Sequence, residues 1–196
     1  MDWIKAIEVF AFATGIIYVI LEIFQKNAMW VIGILTGAAC AVSFGVQHLW
    51  ASMLLNIYYV GVSFAGIAEW KKASEETEGH IHLARPGRKT LILSAVVFAA
   101  GSALLIVALK LLGDSESALD AIVTVGSAIG TWWLVKSYPQ QWLIWIAADT
   151  LSTILCLVSG MHWMALLYIA YTLSAVYGYF HWVRSGRYSG DSTSKP

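Results

Sequence analysis

Long apolar stretches, separated by short polar breaks, run along almost the whole chain. The pattern predicts seven helices. About 20 residues at a rise of 1.5 Å per residue cross the ~30 Å core of a bilayer, and each stretch approaches that length. The predicted ranges are 3–24, 28–46, 50–70, 90–112, 118–136, 140–158 and 162–183. The sequence therefore predicts an all-α polytopic membrane protein.

An internal repeat organises these helices. When the chain is shifted by 112 positions, ten identities fall within the 41 gapless positions from residue 30 to residue 70. They include the pairs Trp30/Trp142, Tyr59/Tyr171, Gly66/Gly178 and Trp70/Trp182. Matched Trp, Tyr and Gly are harder to obtain by chance than matched aliphatic residues, so helices 1–3 and 5–7 are predicted to be two copies of one unit.

The repeat also explains the fourth helix. A unit of three crossings ends on the side opposite its start, so a second copy in the same orientation needs one additional crossing. The predicted plan is 3+1+3 with parallel repeats, a plan in which transporters bind substrate between the repeats near the membrane midplane. The predicted segments are a first repeat (1–70), a polar cytoplasmic loop (71–89), a linker helix (90–113), a second repeat (114–184) and a disordered tail (185–196).

Charge sets the predicted orientation. The chain is 59% hydrophobic and 12% charged, with a formal net charge of zero. Two Lys or Arg residues, Lys5 and Lys110, lie on the side of the N-terminus, whereas ten lie on the other side. Since basic residues accumulate on the cytoplasmic side, the N-terminus is predicted to be outside and the C-terminus in the cytoplasm of a bacterial inner membrane.

An acid within the sixth predicted helix is the main candidate for function. Asp149 lies near the middle of an apolar run, where an unpaired charge costs roughly 2.5–3.5 kcal/mol on the mildest scale. Trp142, Trp145, Asp149 and Ser152 follow the spacing i, i+3, i+7, i+10 and share one helix face. Two indoles and an acid on one face are suited to a flat, positively charged ring. The equivalent positions in the first copy are mostly small, which favours a site built mainly by one repeat.

Polar residues on the third and seventh helices would complete such a site. Asn56 and Tyr59 correspond in the repeat to Tyr168 and Tyr171, and Thr172 follows directly. Their amide and hydroxyl groups can donate and accept hydrogen bonds to a polar ligand. The alternative interpretation is hydrogen bonding between helices, and for Trp142 a place in the aromatic belt of the membrane interface.

Other polar residues carry less information. Glu8, Glu22 and Glu69 lie near predicted helix ends and are expected to reach water. Cys40 and Cys156 are expected to be small packing residues. The histidines show no spacing typical of a metal site, and no nucleotide-binding loop or catalytic triad is evident. The sequence therefore predicts no cofactor, no metal and no nucleic-acid partner.

Taken together, these motifs resemble the PnuC family of bacterial vitamin-precursor transporters. The resemblance rests on the 3+1+3 plan, the WxxWxxxD run of Trp142, Trp145 and Asp149, and the LNIYY…G…W pattern of 55–70 with its echo at 167–182. It implies a SWEET-like architecture, uptake by facilitated diffusion with trapping by phosphorylation inside the cell, and a homo-oligomer, for which a trimer is one form. It also implies that the two indoles contact the vitamin ring, while Asn56 and the three tyrosines line the site.

The resemblance leaves the ligand open between nicotinamide riboside, which we favour, and thiamine. Many nicotinamide riboside transporters of the family carry Gln where this chain has Asn56, and other members carry thiamine. Three further functions agree less well with these residues. A sugar carrier would give Asp149 no cation to bind, a membrane-embedded enzyme lacks a second catalytic group, and a structural or signalling protein leaves the polar helix faces unexplained.

Overall fold

The computed structural model describes residues 2–47, 50–76, 80–111, 117–158 and 162–188. Within these ranges the chain forms seven helices and two short strands. The helices are α1 (Asp2–Ile23), α2 (Ala28–Val46), α3 (Trp50–Glu76), α4 (Arg88–Leu111), α5 (Ser117–Val135), α6 (Gln141–Val158) and α7 (His162–Ser185). The strands are β1 (His82–Leu83) and β2 (Arg187–Tyr188), which pair in parallel.

The predicted helices agree with the observed ones to within a few residues at nearly every end. The exception is α3, which continues to Glu76, so the first part of the predicted polar loop is helical. The predicted disordered tail is wrong at Arg187 and Tyr188, because backbone pairing with β1 orders them. Residues 189–196 lie outside the described part of the chain.

The helices pack as two triplets and one peripheral helix. In the first triplet α2 packs on α1 and α3, and in the second α6 packs on α5 and α7. The triplets meet where α3 packs on α5 and where α7 packs on α1. Since α5 and α7 are the counterparts of α1 and α3 in the repeat, the two interfaces use corresponding helices, although α3 packs on α5 more extensively than α7 packs on α1. The linker helix α4 packs on α5 and is almost entirely exposed along its length.

The outer surface of this bundle is strongly apolar. Large aliphatic and aromatic side chains are exposed on every helix, including Phe12, Leu35, Phe64, Leu104 and Phe180. Water would penalise so large an apolar surface, whereas acyl chains accommodate it. Two of the described helices, α2 and α4, are long and apolar enough to cross a membrane by length and composition alone. The other helices carry polar side chains, such as Asn56 and Asp149.

Residues separated by 112 positions make equivalent contacts. Gln25 and Ser137 each follow the first helix of a triplet, and both have positive φ, 49° and 55°. Each corner then makes the same backbone hydrogen bonds, for example from Lys26 to the Leu21 carbonyl and from Tyr138 to the Trp133 carbonyl. Because the two corners touch, the triplets present the same end on the same side, as expected for parallel repeats.

Two tryptophan pairs repeat in the same manner. The Trp30 ring packs edge-on against Trp70, with centroids 5.1 Å apart, and covers Gly66, where an added Cβ would lie 2.3 Å from the indole. The second triplet has the same arrangement among Trp142, Trp182 and Gly178, with centroids 5.6 Å apart and an added Cβ at 2.7 Å. The glycines therefore allow an indole to lie directly on the neighbouring helix.

A short segment, which we call the strap, covers this end of the bundle. The strap consists of residues 81–84 with Arg187 and Tyr188. Gln25 donates its side-chain N–H to the His82 carbonyl (3.0 Å) and accepts from the His82 N–H (2.8 Å). The His82 imidazole is hydrogen-bonded to the Ser137 hydroxyl at 2.6 Å. The strap is thus bound to the corner of each triplet and joins them.

Candidate functional site

A cavity of about 290 Å³ lies between the two triplets. Its lining is Gly15, Tyr18, Gly33, Thr36, Gly37, Asn56, Tyr59, Ser63, Thr131 and Trp145. Eight of these ten residues belong to the first triplet. The sequence led us to expect the bulky, polar second repeat to provide most of the site. The structure differs because small residues of the first triplet, among them Gly15, Gly33 and Gly37, leave the space for the cavity.

Two aromatic rings lie at positions that the repeat exchanges. In the first triplet the Tyr18 ring on α1 packs against Gly33 on α2, with an added Cβ at 3.1 Å. In the second triplet the glycine is on the first helix, as Gly130, and the ring is on the second, as Trp145, with an added Cβ at 3.6 Å. Tyr18 corresponds to Gly130 and Gly33 to Trp145, so ring and glycine have changed places. Both rings consequently line the same cavity.

The aromatic ring of Trp145 borders the cavity. Its indole nitrogen is buried and has no hydrogen-bond partner among the described residues. An aromatic ring at the edge of a cavity offers a surface for stacking of a flat ligand. The predicted role of Trp145 is therefore compatible with its position.

Asn56 and Tyr59 of α3 also line the cavity. The Asn56 amide donates to the Ser52 carbonyl at 2.8 Å, which orients the side chain. The Tyr59 hydroxyl lies near the side chains of Ser127 and Thr131 of α5 and interacts with them. Tyr59 therefore has partners in the second triplet, and it combines the predicted ligand contact with a link between triplets.

Asp149 is half-buried and lies beside the cavity, not among the residues that line it. It lies on α6 one turn beyond Trp145 and interacts electrostatically with Tyr171 and Glu22. The Tyr171 hydroxyl would lie 3.4 Å from a Cβ added to Gly15, a cavity residue. Asp149 and Tyr171 thus approach the cavity on the side of α1.

The position of Trp142 differs from the prediction. Its side chain is 2% exposed and packs against Gly178 and Trp182, outside the cavity lining. Trp142 occupies a structural position shared with Trp30 of the first triplet. The helical spacing correctly placed Trp142 and Trp145 on similar faces of α6. They lie one helical turn apart, however, and the Trp142 indole is packed against α7 whereas the Trp145 indole borders the cavity.

Three further predicted residues lie away from the lining. Thr172 donates its hydroxyl to the Tyr168 carbonyl at 2.9 Å, within its own helix. The Tyr168 ring packs edge-on against Tyr171, with centroids 6.4 Å apart. Ser152 is half-buried on α6. Their predicted contacts with a ligand stay predictions.

A buried carboxyl group lies beneath the cavity, and the sequence pattern did not predict it. Glu22 was expected to reach water, yet it is 4% exposed and accepts a hydrogen bond from Gln141 at 3.1 Å. Glu69 does reach water and pairs with Lys136 at 2.8 Å, whereas the side chain of Glu8 lies outside the described part of the structure. The spacing of Tyr18 and Glu22, one turn apart on α1, is the signal that could have revealed a polar face there.

The strap places a second buried titratable group at the same end of the bundle. Burial lowers the pKa of the His82 imidazole from 6.5 to about 4, and the negative charge of Glu69 opposes this shift only in part. His82 is therefore neutral near pH 7 and shares a hydrogen bond with Ser137.

Within the described ranges, no group of three or more His, Cys, Asp or Glu side chains could hold a metal ion. Cys40 is a free, half-buried thiol on α2. The side chain of Cys156 falls outside the described residues.

Comparison with known proteins gives consistent results. The family described as nicotinamide mononucleotide transporter matches residues 5–184. A nicotinamide riboside transporter PnuC from Neisseria mucosa is 28% identical over 195 aligned residues, which cover 93% of this chain and 73% of the relative. The protein of the same name from Escherichia coli is 22% identical, covering 97% of this chain and 89% of that one.

A solved structure shares the fold. The crystal structure of the vitamin B3 transporter PnuC aligns with a TM-score of 0.69 and 25% identity, over 93% of this chain and 81% of that one. The alignment extends over nearly all of the helices, so the resemblance is not limited to a local motif.

Proposed function

The chain belongs to the nicotinamide mononucleotide transporter family and is a membrane transporter, and from this premise we propose that it takes up nicotinamide riboside by facilitated diffusion. The relatives named above are nicotinamide riboside transporters. The pyridinium ring of that compound is flat and positively charged, and its ribose carries hydroxyl groups. Phosphorylation inside the cell would trap the product and maintain net uptake.

The observation that carries this proposal is the cavity between the triplets. Its volume, about 290 Å³, is near the lower end of the roughly 300–1,000 Å³ typical of small-molecule sites. Aromatic rings of Tyr18 and Trp145 border it, and no Lys, Arg or His is among the lining residues of the described chain. The carboxyl group of Asp149 lies alongside. An aromatic, electronegative cavity favours a cationic ring.

Within this cavity we propose separate roles for the predicted residues. Trp145 would stack on the ring of the ligand. Asn56, Tyr59 and Tyr171 would bind polar groups, and Asp149 would neutralise the positive charge. Trp142 would support Trp145 from the adjacent turn without touching the ligand.

Thiamine is the second candidate ligand, and the residue at position 56 supports it. Asn56 lines the cavity, and it is also where the chain departs from the Gln common in nicotinamide riboside transporters. A shorter amide gives a wider space at that point. Thiamine is likewise a cationic aromatic compound with a hydroxyl arm.

We propose further that the protein lies in the bacterial inner membrane with the strap on the cytoplasmic side. The strap and its surroundings carry many of the ten basic residues, among them Lys26, Arg85, Arg88, Lys136 and Arg187. This concentration supports a cytoplasmic location for that end. The proposal also includes a homo-oligomer, in which the exposed face of α4 could be covered by another copy or by lipid.

The test is flux into proteoliposomes that contain the purified protein. Radiolabelled nicotinamide riboside and thiamine are supplied separately, and empty liposomes provide the background. Saturable entry of nicotinamide riboside, inhibited by the unlabelled compound and not by glucose, is expected. Saturable flux of thiamine alone would select the second candidate, and absence of flux for both would reject the proposed function.

A further inference from the structure

The carboxyl group of Glu22 lies in a layer directly beneath the cavity. Glu22 belongs to the last turn of α1, and Gln141 is the first residue of α6. The Gln141 amide donates to Glu22 Oε1 at 3.1 Å, which connects the first triplet to the second. One helical turn further along these two helices are Tyr18 and Trp145, both cavity residues. This hydrogen bond therefore lies between the cavity and the end of the bundle that the strap covers.

No cation neutralises this carboxyl group in the described structure. The groups that act on it electrostatically are the Tyr18 hydroxyl of its own helix and the Asp149 carboxyl of α6. On the side of α7, the Trp182 indole donates to the backbone carbonyls of Glu22 and Ile23, not to the carboxyl group. Lys26 is exposed beyond the corner, and the ion pair found among the described residues joins Lys136 to Glu69.

Among the described residues, the side chains of α2 and α7 place no cation beside Glu22 either. In α2 the titratable group is the Cys40 thiol, far along the helix from the corner. In α7 the His181 ring packs edge-on against Phe24 and stacks on Tyr177, and Arg184 is exposed. An ionised carboxylate that is 4% exposed and is affected by the charge of another acid is strongly disfavoured, because burial removes its hydration.

A second observation concerns the partner of Glu22. Gln141 is fully buried, and its Oε1 atom has no hydrogen-bond donor among the described residues. A carboxylate can only accept hydrogen bonds, so it cannot satisfy that oxygen. A carboxylic acid can, because its O–H donates to the amide oxygen while its own C=O accepts from the amide N–H. The acid form alone is complementary to both halves of the Gln141 amide.

We propose that Glu22 is a proton-binding site, occupied while this end of the bundle is closed and emptied when it opens. In the closed state the proton is held on the Glu22 carboxyl group and shared with Gln141 Oε1. When the triplets separate here, water reaches the carboxyl group, the O–H bond breaks, and the proton passes to water. Low pH consequently favours the closed end, and high pH favours the open end.

The proton site itself is tested by infrared spectroscopy of the purified protein at neutral pH, without substrate. The wild type is expected to show a carboxylic acid C=O band, shifted by D₂O, that is absent from Glu22→Gln and retained in Asp149→Asn. Glu22→Gln keeps an N–H donor for Gln141, so it preserves the pairing without the proton. A wild-type-minus-variant spectrum containing only carboxylate bands would overturn the proposal.

A second variant keeps the test independent of whether Glu22→Gln folds. Gln141→Leu removes the amide and leaves the carboxyl group. The acid band is expected to persist and to move to higher frequency, because the C=O loses its donor. A band that is unchanged in this variant would assign it to another acid and contradict the proposal.

The consequence for transport rests on the proposed function and is measured separately. Proteoliposomes are held at equal pH inside and outside, so no gradient is present, and flux is followed from acid to alkaline pH. Wild-type flux is expected to rise several-fold over the pH range in which the acid band disappears, and flux of Glu22→Gln is expected to be flat. His80→Gln, a change at an exposed position outside the strap, serves as the control and keeps the wild-type profile. An unchanged profile in Glu22→Gln would refute the link, whereas absence of flux in the wild type would count against the transport function alone.

Discussion

Gln25 donates a hydrogen bond to Ser137, the residue 112 positions after it, over 3.3 Å. The two are each other's counterparts in the repeat, so their contact joins corresponding positions of the two triplets. Trp70 donates its indole N–H to the Leu134 carbonyl at 3.2 Å, and Trp182 donates to the Glu22 carbonyl at the same distance. Donors and acceptors are again 112 positions apart. The third helix of each triplet thus carries an indole N–H that donates a hydrogen bond to the first helix of the other triplet.

These reciprocal bonds hold one end of the bundle closed. The strap adds contacts with both corners. The ring centroids of Trp70 and Trp182 lie 6.1 Å apart across the interface between the triplets. If the triplets move relative to one another during transport, this layer must separate before a ligand can leave the cavity toward the strap. Its strength therefore influences both stability and the rate of exchange.

The first prediction concerns the reciprocal indoles. Trp70→Phe removes the indole N–H that donates to Leu134, and Trp182→Phe removes the N–H shared by the carbonyls of Glu22 and Ile23. A hydrogen bond between triplets is worth about 0.5–1.5 kcal/mol. We expect a lower apparent melting temperature in detergent for each variant and ligand affinity near that of the wild type. Trp132→Phe is the control, since Trp132 is 44% exposed. Equal melting temperatures in all three variants would contradict the assignment.

The second prediction concerns the glycines beneath the packed indoles. Gly66→Ala and Gly178→Ala place a methyl group 2.3 Å and 2.7 Å from the Trp30 and Trp142 rings. The rings must shift, and overpacking of this kind costs typically about 1–3 kcal/mol. Gly61→Ala is the matched control on the same helix as Gly66, because nothing lies within 4 Å of its added Cβ.

Thermal unfolding in detergent measures this effect. Both destabilising variants are expected to melt at lower temperature, by similar amounts because their positions are equivalent. Gly61→Ala should melt at or slightly above the wild-type temperature, since Ala favours a helix over Gly by roughly 1 kcal/mol. A Gly66→Ala protein as stable as Gly61→Ala would show that the indole is not seated on that helix.

The third prediction concerns the cavity. Trp145→Ala removes an aromatic face and an indole N–H, and a cation–π contact alone contributes roughly 0.5–2 kcal/mol. We expect affinity for nicotinamide riboside to fall by at least about tenfold, measured by calorimetry on the purified protein. Trp132→Ala, an equal truncation outside the cavity, should bind as the wild type does. Equal affinities in the two variants would remove Trp145 from the site.

The fourth prediction concerns the choice between ligands. Asn56→Gln lengthens the amide that lines the cavity by one methylene. We expect the ratio of affinity for nicotinamide riboside to affinity for thiamine to increase in this variant, because the space at that point narrows. A ratio that does not change would indicate that another residue determines the choice.

The fifth prediction concerns pH and the strap. The pKa of His82 is lowered from 6.5 to about 4 in the folded protein, so the unfolded chain binds the additional proton between these values. Folding stability is therefore fully present above about pH 6.5 and is lost as pH falls toward 4, by up to about 3 kcal/mol at roughly 1.4 kcal/mol per pKa unit.

Melting temperatures between pH 4 and pH 8 in detergent test this dependence. His82→Gln retains a hydrogen-bonding side chain without a titrating ring, so its stability should fall less on acidification than that of the wild type. His80→Gln, a change at an exposed position of the same loop, should follow the wild type. Parallel curves for the wild type and His82→Gln would exclude the buried imidazole as the cause.

Much of the architecture could be predicted from the sequence. The apolar stretches predicted the helices, because a lipid-facing helix must be apolar along its whole length. The matches at Trp30/Trp142, Gly66/Gly178 and Trp70/Trp182 predicted a repeat, and the structure gives those residues equivalent packing. The spacing on α3 also predicted that Asn56 and Tyr59 share a face, because helical geometry alone determines that.

The tertiary structure decided which faces enclose the cavity and which groups are buried. Periodicity cannot distinguish Trp142, seated on Gly178, from Trp145, which borders open space, because that difference depends on the neighbouring helix. It cannot reveal that Tyr18 of the first triplet opposes Trp145 of the second. Nor does proximity to a helix end determine whether a carboxyl group reaches water, since Glu22 is buried and bonded to Gln141 of a distant helix. The sequence by itself determined the helices and their duplication through local periodicity, whereas the site arose only where distant helices met.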